Sequence, residues 1–146
     1  MGYVMRRGLN GLKARQKIMI KIWIDDEREM PEGYTHLARS ADDAFWLIRE
    51  FYYDDDDLEV SLDHDAGRYA DQGGDYIKIL ERLEEICYGN LNFRNYIRDK
   101  VIFHLHTANP VGRENMRRII QKNGWREICN VNRIVMRGLN RLNEVK

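Results

Sequence analysis

The sequence contains little cysteine and little proline, and it lacks any long hydrophobic run. Two cysteines in 146 residues are too few for a disulfide framework, so we expect a reduced, cytoplasmic protein with both thiols packed as small side chains. No apolar stretch approaches the roughly 20 residues that cross a bilayer, so no membrane segment is expected. The basic N-terminus also lacks the apolar stretch and the cleavage site of a secretory signal.

Charge of one sign does not dominate the chain, because 24 Lys and Arg balance 24 Asp and Glu. The balance conceals an asymmetry. Residues 1–21 contain six basic residues and no acidic one, and residues 111–146 contain nine basic and three acidic residues, so the centre is acidic. This distribution is compatible with a metal site in the middle and a polyanion near the ends, and solvated helix faces explain it equally well.

Short apolar stretches alternate with helical patterns and predict one α/β domain over residues 17–146, after a basic extension over residues 1–16. Strands are predicted at residues 17–24, 34–39, 58–62 and 101–105, with a last one within 125–136. Helices are predicted to begin after Ser40, at Asp75 and after Asn109. This alternation predicts a mainly parallel sheet with helical crossovers.

Polar residues follow each of the three main predicted strands. They are Asp25 and Asp26 after the first strand, Asp63, His64 and Asp65 after the second, and His106, Thr107 and Asn109 after the third. Ligands bind outside the carboxyl ends of parallel strands, so we expect these groups to meet at one edge of the sheet. Clustered carboxylates repel one another unless a cation bridges them, and oxygen ligands favour Mg²⁺ or Mn²⁺.

The segment after the third strand has the features of a phosphate site. A helix that begins at Pro110 offers free N–H groups and the positive end of its dipole, and Arg113 in its first turns can clamp phosphate oxygens. His106 at the strand tip, with His64 as second candidate, can transfer protons near neutral pH. The simpler alternatives are a hydrogen-bonded core role for His104 and a solvent ion pair for Arg113, which would contribute little.

Three motifs give the sequence a resemblance to a known family. They are WIDDER at residues 23–28, SLDHD at residues 61–65 and HTANPVGREN at residues 106–115. Together they resemble the cyclic-phosphate-processing receiver-like domains, a divergent branch of the response-regulator receiver superfamily. The resemblance covers roughly residues 18–124 and implies a three-layer, flavodoxin-like α/β fold with helices on both faces of the sheet.

The resemblance also implies roles for individual residues. In receivers an acidic pair and a central aspartate hold Mg²⁺, and here the corresponding residues are Asp25, Asp26 and Asp63. The central aspartate, Asp63 here, also accepts a phosphoryl group in receivers. A hydroxyl residue contacts that group, and its counterpart here is Thr107. An ordinary receiver also has a helix after the acidic pair and a lysine after its last strand. This sequence has too few residues for that helix and no lysine between residues 122 and 146. These departures argue against phosphorelay signalling, and the additional histidines and Arg113 favour a site that processes a phosphate ester.

The leading hypothesis is a metal-dependent phosphoesterase-like protein that processes a cyclic or terminal phosphate, with 2′,3′-cyclic phosphate RNA ends as the suggested substrate. The candidate residues are Asp25, Asp26 and Asp63 for the Mg²⁺ or Mn²⁺ ion, Asp63, His64 and His106 for catalysis, and Thr107, Asn109, Arg113 and Asn115 for phosphate binding. One alternative is a non-catalytic receiver-like module that binds a phosphorylated ligand or a partner protein. Another is an interaction domain whose acidic edge holds only a structural ion.

Overall fold

The computed structural model describes residues 19–129 and 134–138; the predicted N-terminal extension lies outside them. The described strands are β1 (Met19–Ile24), β2 (His36–Ala38), β3 (Asp57–Leu62), β4 (Val101–Leu105), β5 (Arg126–Cys129) and β6 (Ile134–Arg137). The described helices are α1 (Ala41–Tyr53), α2 (Ile77–Gly89), α3 (Leu91–Lys100) and α4 (Pro110–Lys122), with a 3₁₀ turn at Gly67–Tyr69. None of these helices is both long enough and apolar enough to span a bilayer.

The six strands form one sheet in the order β2-β1-β3-β4-β5-β6. All neighbouring pairs are parallel except β5 and β6, which are antiparallel. The predicted mainly parallel, receiver-like α/β fold is therefore confirmed. The last predicted strand, within residues 125–136, corresponds in part to β5 and in part to the antiparallel edge strand β6.

One face of the sheet is apolar and packs against the helices. Ile22 lies beside Val60 and Val60 beside Phe103, and all three are fully buried. The connections that carry the helices all advance in the same direction across the sheet, so right-handed crossovers place their helices on the same face. Accordingly α1 contacts α2, and α2 contacts α3 and α4. Within residues 19–129 and 134–138 the helices therefore lie on one face of the sheet, which differs from the expected three-layer arrangement with helices on both faces.

The second face of the sheet is polar at its centre. Trp23 lies beside Ser61, and Ser61 lies beside His104, so the three side chains form one row across β1, β3 and β4. Glu59 precedes Ser61 on the same face, is only 5% exposed and accepts a hydrogen bond of 3.0 Å from the hydroxyl of Tyr34. Buried polar groups are costly unless they are hydrogen-bonded, so these contacts are needed to keep the face folded.

Two of the three predicted helix starts are confirmed. The Ser40 hydroxyl caps α1 by accepting from the N–H of Asp43 at 3.1 Å, and the Asn109 side chain caps α4. The predicted cap at Asp75 is wrong, because α2 begins at Ile77 without a side-chain cap. The Asp75 carboxylate instead accepts from the N–H of the buried residue Ala66 at 2.9 Å, a loop donor that sequence spacing cannot reveal.

Replacing Ser40 by alanine should lower the free energy of unfolding by ~1 kcal/mol, because the N–H of Asp43 loses its buried acceptor. Urea denaturation followed by circular dichroism measures the change. Ser40→Thr retains a capping hydroxyl and is the matched control, which should stay close to the wild type. Identical unfolding curves for Ser40→Ala and the wild type would contradict the assigned cap.

Candidate metal and phosphate site

Three aspartates meet at the carboxyl edge of the sheet. Asp25 and Asp26 follow β1, Asp63 follows β3, and the two strands are neighbours. One carboxylate oxygen from each residue lies within 4.8 Å of the others. Asp25 is fully buried, whereas the other two are half-buried. The structure thus brings together the three residues that the sequence analysis selected as metal ligands.

Asp25 is held by several donors. Its Oδ1 accepts from the backbone N–H groups of Glu27 at 2.9 Å and Arg28 at 2.8 Å, and its Oδ2 lies 2.9 Å from Nε2 of His106. Burial alone would raise the pKa of Asp25, but the two backbone hydrogen bonds and the contact with His106 outweigh it and lower the pKa below its ordinary value. Asp25 is therefore an ionised carboxylate at neutral pH.

Asp26 behaves in the opposite way. Burial raises its pKa, and repulsion from Asp25, Glu27 and Asp63 raises it further. The unfavourable energy of neighbouring negative charges would be relieved by a cation, and an all-oxygen donor set is of the type that Mg²⁺ and Mn²⁺ prefer. The three carboxylates are therefore compatible with the ions expected from the sequence.

Gly67, in the loop after β3, leaves the space that the Asp26 carboxylate occupies. Gly67 has a φ of +54°, and a Cβ atom at this residue would lie only 2.3 Å from Oδ2 of Asp26. Both the backbone conformation and the close approach therefore favour glycine here.

His106 is enclosed by the chain. Its Nε2 contacts Asp25, its Nδ1 lies 2.8 Å from Oγ of Ser61, and its ring stacks on Trp23 with centroids 3.7 Å apart. Only 8% of the side chain is exposed. Burial lowers the pKa of His106, and the nearby Asp25 carboxylate opposes that effect only in part. The direct contact of this imidazole is thus with the acidic cluster, and its role in proton transfer stays a prediction.

His64 is placed differently, against the first turn of α4. Its Nδ1 lies 2.8 Å from Oδ1 of Asp65, and 16% of its side chain is exposed. A Cβ atom on Gly112 would lie 2.4 Å from Cγ of His64, so only glycine leaves room for the imidazole. Within the described part of the chain, Nε2 of His64 has no hydrogen-bond partner.

Three of the four predicted phosphate-binding residues form one local unit. The N–H of Asn109 donates to Oγ1 of Thr107 at 3.0 Å, and the guanidinium of Arg113 donates to the carbonyl of Thr107. The Asn109 side chain in turn accepts from the N–H of Gly112 at 3.0 Å. Asn115 is separate from this unit. It is exposed in the next turn of α4 and accepts from Arg118 at 3.3 Å.

The structure adds basic residues that the sequence analysis did not select. A cleft of about 570 Å³ beside the acidic cluster is lined by Asp26, Glu27, Arg39, Gly67 and Arg68. Arg39 is anchored there because its guanidinium donates to the carbonyls of Asp25 at 3.0 Å and Arg28 at 2.9 Å. Arg28 belongs to the WIDDER motif, but no sequence pattern distinguishes Arg39 or Arg68 from surface arginines.

The close approach of Gly112 and His64 gives a prediction. Gly112→Ala should destabilise the protein by about 1–3 kcal/mol, because the added methyl group overlaps the imidazole and forces it to move. In a His64→Ala background the same change should cost nothing or stabilise α4, since alanine is the better helix former. Urea denaturation of the four proteins of this double-mutant cycle measures the coupling.

The matched control for this cycle is Gly89→Ala at the end of α2, where an added Cβ would meet nothing within 4 Å. This variant should not be destabilised in either background. An equal cost of Gly112→Ala with and without His64 would show that the imidazole does not occupy the space next to Gly112.

A family model described as the cyclic-phosphate processing Receiver domain matches residues 20–122, which is more than half of the chain. The matched range includes the three aspartates, both site histidines and all of α4. Neither a curated protein nor a solved structure matches the chain. The chain therefore belongs to the cyclic-phosphate processing Receiver domain family.

Proposed function

We propose that this protein is a metal-dependent phosphoesterase that processes a cyclic or terminal phosphate. The observation that carries the proposal is the grouping of Asp25, Asp26 and Asp63 within 4.8 Å, in a chain whose family is associated with cyclic-phosphate processing. A divalent Mg²⁺ or Mn²⁺ ion bound by these carboxylates supplies Lewis-acid stabilisation of charge on phosphate oxygens. The chain's own residues bind and orient the phosphate and move the protons.

Arginine side chains supply the phosphate contacts in this proposal. Arg39 and Arg68 line the cleft beside Asp26, so an anionic group bound there meets positive charge opposite the acidic cluster. Arg113 uses one N–H for the carbonyl of Thr107, and the guanidinium has five such donors in total. Its remaining donors can therefore bind phosphate oxygens while the side chain stays anchored at the start of α4.

His64 is the better placed of the two candidate histidines for proton transfer. The carboxylate of Asp65 accepts from Nδ1–H, which leaves Nε2 of the neutral imidazole as the proton acceptor. A base of this kind activates an attacking hydroxyl or water and then returns the proton to the leaving oxygen. His106, in contact with Asp25, acts chiefly by holding that carboxylate in place.

An RNA end is the proposed source of the phosphate. The strongly basic content of residues 111–146 and the arginines of the cleft favour a polyanionic ligand over a neutral one. A receiver that stores a phosphoryl group on aspartate has a lysine after its last parallel strand. Here β5 ends at Cys129, and the sequence contains no lysine from residue 123 to residue 145. This absence favours turnover of a phosphate ester over phosphorelay.

The second candidate function is a non-catalytic module that binds a phosphorylated ligand or partner protein. The observation in its favour is the enclosure of His106, both of whose ring nitrogens are engaged by the chain. A histidine engaged at both ring nitrogens fits a site that binds a phosphate without transferring protons.

Millimolar Mg²⁺ or Mn²⁺ should raise the melting temperature by several degrees, because an ion that binds only the native state stabilises it by ~2.7 kcal/mol at 100 times its Kd. Asp63→Asn should remove most of this shift, and without metal it should melt no lower than the wild type, since it removes one repelling charge. Differential scanning fluorimetry measures both effects.

The matched control is Asp71→Asn, at an exposed carboxylate of the loop that follows Asp63, and this variant should retain the full shift. An unchanged wild-type melting curve would refute the metal site.

Hydrolysis of 2′,3′-cyclic and terminal-phosphate nucleotides and oligonucleotides tests the reaction itself. His64→Ala should lower turnover by roughly 10²–10⁴ and leave ligand binding intact, as expected for loss of a proton-transfer group. Arg113→Ala should chiefly weaken binding, by ~1.5–3 kcal/mol for one charge-assisted contact. Arg118→Ala, an exposed arginine on the same helix, is the control.

The outcomes of this assay separate the two candidate functions. Binding without turnover by the wild type in the presence of either ion would favour the non-catalytic module. If the wild type neither binds nor cleaves any of these compounds, both candidates fail and a plain interaction domain takes their place.

A further inference from the structure

Three polar side chains form a continuous hydrogen-bond chain on the second face of the sheet, and this chain ends on Asp25. Ser61 lies directly beside His104 in the register of β3 and β4, and His106 follows on the same face. Oγ of Ser61 lies 2.8 Å from Nδ1 of His104 and 2.8 Å from Nδ1 of His106. Nε2 of His106 then lies 2.9 Å from Oδ2 of Asp25.

The number of available protons fixes the direction of each hydrogen bond. The ionised carboxylate of Asp25 can only accept, so Nε2 of His106 carries a hydrogen. Nδ1 of a neutral His106 is then an acceptor and takes the hydroxyl hydrogen of Ser61. Ser61 has only that one hydrogen, so its oxygen must accept from Nδ1–H of His104. The two imidazoles are therefore held in opposite tautomers.

The burial of these groups makes the chain cooperative. Ser61 is fully buried, and the imidazole of His106 is fixed from the side by the parallel ring of Trp23. A buried polar group that loses its partner remains unsatisfied, which costs more than a hydrogen bond lost in water. Reversal of one bond in the chain would therefore require reversal of the others.

We propose that Ser61 and His104 are positioning residues that hold His106 in its Nε2–H tautomer and thereby fix the orientation of the Asp25 carboxylate. Partners of this kind behind a ligating carboxylate tune the affinity of a metal site. The inference rests on the proposed function only in treating Asp25 as a metal ligand. The tautomers themselves are a property of the folded chain without metal.

Long-range ¹H–¹⁵N correlation spectra of the ¹⁵N-histidine-labelled protein read the tautomers directly. At a pH of about 8, above the ordinary imidazole value, His106 should carry its hydrogen on Nε2 and His104 on Nδ1. The chain has four histidines, so the variants His36→Gln and His64→Gln identify the other two signals.

Substitution of Ser61 tests the link between the two histidines. Ser61→Ala should abolish the single opposite-tautomer pattern, and Ser61→Thr, which keeps the hydroxyl, should restore it. Ser40→Ala is the matched control, because it removes another buried serine hydroxyl that contacts neither histidine. Titration with Mn²⁺ should show a loss of affinity on the order of 10-fold for Ser61→Ala and none for Ser40→Ala.

Several results would overturn the proposal. A wild-type spectrum with His106 protonated on Nδ1, or with both histidines in the same tautomer, contradicts the assigned direction of the chain. An unchanged pattern in Ser61→Ala removes the role of the hydroxyl, and an unchanged Mn²⁺ affinity in that variant removes the effect on Asp25. If the wild type shows the expected tautomers but binds no Mn²⁺, the metal-dependent function fails, whereas the assignment of Ser61 and His104 as positioning residues of His106 stands.

Discussion

Electrostatic repulsion among three carboxylates is the constraint on which the carboxyl edge of this sheet depends. The parallel register of β1 and β3 places Ile24 beside Leu62, so the aspartates that follow the two strands are necessarily neighbours. Asp25 and Asp26 differ in how their surroundings affect their ionisation. Backbone N–H groups and His106 keep Asp25 ionised, whereas burial, together with repulsion from its neighbours, raises the pKa of Asp26. A positive charge near this edge would be favoured, because folding already supplies the energy that brings the carboxylates together.

The two faces of the sheet support that edge in different ways. The face that packs against the helices buries Ile22, Val60 and Phe103 and supplies the hydrophobic stabilisation of the domain. The other face buries hydroxyl and imidazole groups that contribute little net stability once they have left water. These groups are instead connected by hydrogen bonds that lead to Asp25 at the carboxyl edge of the sheet. Stability and site geometry are thus assigned to opposite sides of the same strands.

Local features of the fold could be predicted from the sequence, whereas contacts between distant residues could not. The caps at Ser40 and Asn109 involve acceptors and donors three residues apart, so spacing alone identifies them. The contact between His106 and Asp25 joins residues 81 positions apart, and that between His106 and Ser61 joins residues 45 apart. The position of His106 at this edge of the sheet could therefore be predicted from the sequence, whereas its contacts with Asp25 and Ser61 could not. The failed cap at Asp75 has the same origin, because a loop N–H competes for its carboxylate.

The contact between His64 and Gly112 links two motifs that are distant in the sequence. The imidazole belongs to SLDHD and the glycine to HTANPVGREN, and there is no room for a side chain at the second position while the first is occupied. The glycine cannot be replaced without a cost in stability while the histidine is present, because the added side chain would overlap the imidazole. In related sequences, loss of the histidine would release the glycine to vary, and the order of those two substitutions in a lineage would be fixed.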